Sequence, residues 1–173
     1  MRLFAAIELN DRLRTAAAAA QGQLKAHGVT GRFPPPGNLH LTLCFFGEGE
    51  KDGLLCALMG ESYTSARLTV EGCGCFMGGS LLHLKIKTDP GLMEIQRRVQ
   101  DAALKLGYRL DGRPYVPHIT LCRKMQAPVG VDLFACCKGA MGVSMDVERI
   151  SLMESKLNQN GAVYHRVGTI AVK

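Results

Sequence analysis

Apolar positions along the chain repeat at two different spacings. The segment 2–9 is short and mostly apolar, which predicts a strand. Leu13, Ala16, Ala17, Ala20 and Leu24 then recur at helical spacing. They predict a helix that Asp11 caps, that runs to about residue 27 and that Gly28 stops. Farther on, Leu82, Leu84 and Ile86 alternate along a strand at 81–87. On the other face of that strand His83 lies beside lysines and reads as solvated. Asp89 before Pro90 is a strong helix start. Leu92, Ile95, Val99, Ala102 and Leu106 make the stripe of that helix, and Gly107 ends it. A further helix is expected over 51–63, with Leu54, Leu55, Leu58 and Met59 inward. Strands are expected over 67–71, 147–154 and 163–172, the last two joined by a turn at Asn158-Gln159-Asn160-Gly161.

The pattern repeats. Leu39-His40-Leu41-Thr42-Leu43-Cys44 has a partner in Pro117-His118-Ile119-Thr120-Leu121-Cys122, at an offset of 78 residues. The same offset sets Pro36 on Pro114, Asp11 on Asp89 and Leu3 on Leu81. Each half reads as strand, helix, proline-bearing loop, strand. The expectation is one bilobal domain over 1–173 whose internal repeat spans about 2–46 and 80–124, with the two lobes facing each other.

Residues two apart on a strand share a face. His40 and Thr42 therefore point one way while Leu41 and Leu43 enter the core, and His118 and Thr120 do likewise. Two facing imidazoles suit the opening of a cyclic phosphodiester. One takes a proton from water and the other gives a proton to the departing alkoxide, near neutral pH. Threonine hydroxyls can donate to non-bridging phosphate oxygens. Strict alternation sets Cys44 and Cys122 on the cleft side with the histidines, and turns Arg123 away. A twist would be needed to aim the Arg123 fork at phosphate. His27, at a helix end, and His165, on the late strand, carry no comparable pattern.

Composition adjusts this picture little. Hydrophobic residues make up 47% of the 173, enough for a real core, and charged residues 21%. A formal net charge of +6 favours anionic partners such as nucleic acid. No apolar run reaches the roughly 18 residues of a membrane span. Seven cysteines, an odd number, without a visible secretory signal argue for reduced thiols in a cytoplasmic protein. Cys73-Gly74-Cys75 and Cys136-Cys137 lack the spacing of structural zinc ligands, so no metal is expected.

The two His-hydrophobic-Thr-hydrophobic motifs resemble those of the two-histidine (2H) phosphoesterases. More narrowly, the chain is similar to the bacterial and archaeal RNA 2′,3′-cyclic phosphodiesterases, also called 2′-5′ RNA ligases. The likeness runs through Arg2-Leu3-Phe4-Ala5-Ala6-Ile7, the Pro35–Leu43 segment, Phe45-Phe46-Gly47-Glu48, the second motif to Arg123, and Leu152-Met153-Glu154-Ser155. It implies an α+β fold with two antiparallel sheets around a central cleft and helices outside. It implies His40 and His118 as catalytic residues, Thr42, Thr120 and Arg123 as substrate-binding residues, and no metal or other cofactor. It implies RNA ends carrying a 2′,3′-cyclic phosphate as the partner, opened to a 2′-phosphate, with 2′-5′ ligation as the reverse. No membrane and no obligate protein partner are implied. A small cyclic nucleotide or a 2′-5′ linked oligonucleotide as substrate, or a non-catalytic RNA-binding module, are the alternatives. Phe33 stands where many relatives carry tryptophan.

Overall fold

The computed structural model describes residues 1–159 and 161–173. In chain order the elements are β1 (Arg2–Glu8), α1 (Asp11–Ala26), β2 (Thr30–Arg32), β3 (His40–Glu48), α2 (Lys51–Met59), β4 (Arg67–Phe76), β5 (Leu81–Ile86), α3 (Pro90–Lys105), β6 (His118–Gln126), α4 (Leu133–Cys137), β7 (Ser144–Asp146), β8 (Arg149–Asn158) and β9 (Gly161–Ala171). Asn160, in the expected turn between the last two strands, lies outside the described residues.

Every strand pairing is antiparallel, in the order β7-β4-β5-β6-β3-β1-β8-β9, with β2 beside β6. One half thus has four strands, β3-β1-β8-β9, and the other five, β7-β4-β5-β6 with β2 beside β6. They join through one residue pair, Leu41 with Ile119, into a continuous ladder. The helices cross over between halves. α1 follows β1 yet packs on α4 and β6, whereas α3 follows β5 yet packs on α2 and β3. Buried Gln21 on α1 adds a polar tie, its Nε2 donating to the carbonyls of Pro34 and Leu121 at 2.9 and 3.0 Å.

Local chemistry explains most boundaries. The cap of α1 is Asn10, one residue before the expected Asp11. Its backbone is extended, and its side chain accepts from the Leu13 N–H at 2.9 Å. Asp89 caps α3 as the sequence suggests, accepting from the Leu92 N–H ahead of Pro90. α3 buries Ala103, while Leu106 is the capping residue and is exposed. α2 stops at Met59, leaving that side chain outside, and only Leu54 and Leu58 are fully inward. β4 continues to Phe76, past Gly72 and Gly74, which blur its alternation. Leu41, Leu43, Ile119 and Leu121 are at most 2% exposed. Each contributes about 1.5–3 kcal/mol by burial, which anchors both motif strands.

Candidate active site

β3 and β6 each carry an extra residue just after the motif threonine, and β3 carries a second at Phe46. Against β1, Ala5 pairs with Cys44 and Ala6 with Thr42, so Leu43 is skipped. Against β5, Leu82 pairs with Cys122 and His83 with Thr120, so Leu121 is skipped. A bulge of one residue inverts the facing of everything after it. Cys44 and Cys122 therefore join the core face with Ala5 and Leu82, against the expectation that both thiols face the cleft. Burial pushes the Cys44 thiol up to about 12 and raises that of Cys122. Phe45 and Arg123 come instead onto the cleft face, opposite Phe4 and Leu81. The bulge supplies the turn that Arg123 needs.

Both histidines are held the same way. His40 Nδ1 lies 2.7 Å from the Asn38 carbonyl, and His118 Nδ1 lies 2.7 Å from the Val116 carbonyl. A carbonyl only accepts, so each Nδ1 carries the hydrogen and each Nε2 is left as the working nitrogen. The Thr42 hydroxyl reaches His40 Nε2 at 3.0 Å. Tyr115 donates its hydroxyl to the Thr42 carbonyl at 2.9 Å and so ties the loop before β6 to β3. Desolvation holds both imidazoles below their usual pKa. The carbonyl bonds oppose that, and the charge of Arg123 adds to it for both rings. Both shifts favour the neutral imidazole, and a phosphate anion between the rings would favour their protonation.

The flanks differ. Beside His40, a cavity of about 250 Å³ is lined by Glu8, Arg14, Asn38, Tyr164 and Arg166 among others. Glu8 stands opposite His40 in the ladder, accepts from Arg166 at 2.6 and 2.8 Å, and accepts from Ser151. The Arg166 guanidinium keeps the Glu8 carboxyl below the usual range, and the Glu8 charge in turn raises the proton affinity of His40. Tyr164 meets the His40 ring edge-on at 5.2 Å. Beside His118, Lys85 occupies the ladder position that Glu8 holds in the other half. His83 is not solvated, as alternation beside lysines suggests. It is 1% exposed, stacked on Phe76 at 4.0 Å and edge-on to His118 at 5.3 Å. Burial drives its pKa down to about 4.

The ladder also corrects the alignment of the first strands. Glu8 opposes His40 and Lys85 opposes His118, an offset of 77, so Leu81 stands where Phe4 does. Asp89 lies four positions after Lys85 and Asp11 three after Glu8, which restores 78 at the helices. His27 and His165 are exposed, away from the cleft lining. Phe33 packs partly on the core with Lys25 over its ring at 4.8 Å. Among the described residues, no three His, Cys, Asp or Glu side chains gather as a metal-ligand group, and no helix is long and apolar enough to cross a membrane. Glu8, Phe76, Tyr164 and Arg166 escaped the sequence reading. The same two-residue rule applied to β1, with Leu3, Ala5 and Ile7 inward, would have turned Phe4, Ala6 and Glu8 to the cleft.

Known proteins share this architecture. The crystal structure of TT0787 from Thermus thermophilus superposes with a TM-score of 0.82 at 27% identity, covering 99% of this chain and 98% of that one. Escherichia coli LigT complexed with 3′-AMP gives 0.81 at 24% identity, over 99% and 97%, and is alike in fold. In sequence, the RNA 2′,3′-cyclic phosphodiesterase of Methanothermobacter thermautotrophicus is 30% identical over 95% of both chains. The protein of that name from Thermus thermophilus is 31% identical over 95% of this chain and 86% of its own length. Residues 11–159 match the profile of the 2′-5′ RNA ligase superfamily, and with two histidine strands bulged alike around one cleft, the chain belongs to that superfamily.

Proposed function

We propose that this protein opens terminal 2′,3′-cyclic phosphates of RNA to 2′-phosphates, with 2′-5′ joining as the same ring opening by an RNA 5′-hydroxyl in place of water. The observation that carries the reading is the matched pair of imidazoles, each anchored through Nδ1 to a carbonyl so that Nε2 is the working nitrogen, with the Thr42 hydroxyl beside that of His40. Relatives that align over 95% of this chain are named for that activity.

His118 takes a proton from water, and the oxygen attacks phosphorus. The bond to O3′ breaks, and His40 supplies its proton. The carboxylate of Glu8 favours the protonated form of His40, and among the described residues no carboxylate does so for His118, which supports this division of roles. Thr42, Thr120 and Arg123 hold the non-bridging oxygens. Residues 1–173 act as one bilobal unit, and its repeat about 2–46 and 80–124 supplies one histidine from each half.

The deciding experiment is a product assay on RNA ending in a 2′,3′-cyclic phosphate, with 2′- and 3′-phosphate ends resolved. A 2′-phosphate product is expected. A 3′-phosphate product, or turnover confined to free cyclic nucleotides, would overturn the reading.

A further inference from the structure

In an in-line displacement the entering and leaving oxygens lie on opposite sides of phosphorus. With His40 protonating O3′, the ribose that owns that oxygen lies on the His40 side. The attacking group then arrives from the His118 side. Water needs almost no room there, yet that side holds a cavity of about 350 Å³. Such a volume suits a nucleoside.

Its lining suits one too. Phe76 lies 19° from parallel on His83, which supports one face of the phenyl ring. Lys85 brings an ammonium group into the cavity. Gly74 keeps its floor open. A Cβ there would stand 2.6 Å from Lys85 Cε and 3.3 Å from His83 Nε2. His83 is 1% exposed, and its Nδ1 has no hydrogen-bond partner of good geometry. Glu71 and Thr88 also line the cavity and can accept from a base or sugar.

We infer that this pocket is a second nucleotide subsite, which takes the 5′-terminal nucleoside of an RNA whose free 5′-hydroxyl replaces water as the attacking group. The inference rests on the acid–base roles proposed above. His118 Nε2 takes the hydroxyl proton, the O5′–P bond forms, the P–O3′ bond breaks, and O3′ takes the proton of His40. The product is a 2′-5′ diester, and no other reactant is consumed. The base packs against Phe76, and Lys85 meets the phosphate that follows the nucleoside.

Two measurements test the pocket. In the first, the protein is saturated with a 2′-phosphomononucleotide, the hydrolysis product, and titrated with a dinucleoside monophosphate bearing a free 5′-hydroxyl. Backbone amide shifts should gather at Gly74, Phe76, His83 and Lys85, and Lys85→Gln should weaken binding about tenfold. Shifts confined to the lining around Glu8, Tyr164 and Arg166, or none on β4 and β5, would overturn the subsite. In the second, cyclic-phosphate RNA reacts in the presence of the same acceptor. Lys85→Gln and Phe76→Ala should each cut the ratio of joined to hydrolysed product by about tenfold. An unchanged ratio in both variants sinks the proposal. A parent protein inert toward every cyclic phosphate refutes the proposed function instead, and the amide map still decides the pocket.

Discussion

The His40 half and the His118 half use one scaffold for unlike surroundings. In each, a bulge skips one leucine, Nδ1 is fixed by the carbonyl two residues back, and a threonine follows on the same face. Around that shared frame the side chains diverge. Glu8 opposes one histidine and Lys85 the other, and Phe45 holds the ladder place that Arg123 takes across the cleft. The symmetry of the backbone sets where two imidazoles stand. The asymmetry of the neighbours gives the two imidazoles unlike electrostatic surroundings.

The sharpest way to break this comparison is to remove the imidazoles. His40→Ala and His118→Ala should each cost roughly 10²–10⁴-fold in kcat on cyclic-phosphate RNA. The double variant should lose little beyond the worse single one, because the pair works as a unit. A single variant near the parent rate ends the two-histidine mechanism for this protein. A smaller effect comes from the position that differs most between halves. Arg123→Gln removes the cation that depresses both imidazoles, so both apparent pKa values should rise and the whole bell move to higher pH. Its rate loss should be on the order of 10–100-fold, the size of one lost charge-assisted contact. Phe45→Ala, its counterpart, should leave the bell where it is. The smallest effect sharpens the roles. Glu8 raises the proton affinity of His40, so Glu8→Gln should lower it. The acid must be protonated to act, so the alkaline limb alone should retreat to lower pH, with less than about tenfold loss at the optimum. Movement of the acidic limb instead would reverse the assignment of acid and base.

The sequence was most legible where one residue meant one thing. Paired His-x-Thr strands, the Asp89-Pro90 start and the leucines of the motif strands all stand as read. It was least legible where neighbours decide. Leu43 and Leu121 look like ordinary alternating leucines, and nothing in them announces a bulge. Only pairing with β1 and β5 reveals that Cys44, Cys122 and Arg123 have changed sides. His83 sat on the expected face of its strand, but Phe76, from a strand read as ending five residues earlier, covers it. Asn10 and Asp11 are equally good caps, and backbone geometry made the choice.

Each half-sheet is roofed by a helix from the other half, α1 over β6 and α3 over β3. A chain emerging from the ribosome therefore makes α1 long before the strand it will cover, and makes β3 long before α3. Neither half can close its core early, because the contacts that close it span much of the sequence and must wait for distant partners. One half alone lacks the helix that covers its sheet, so the two imidazole strands share their support.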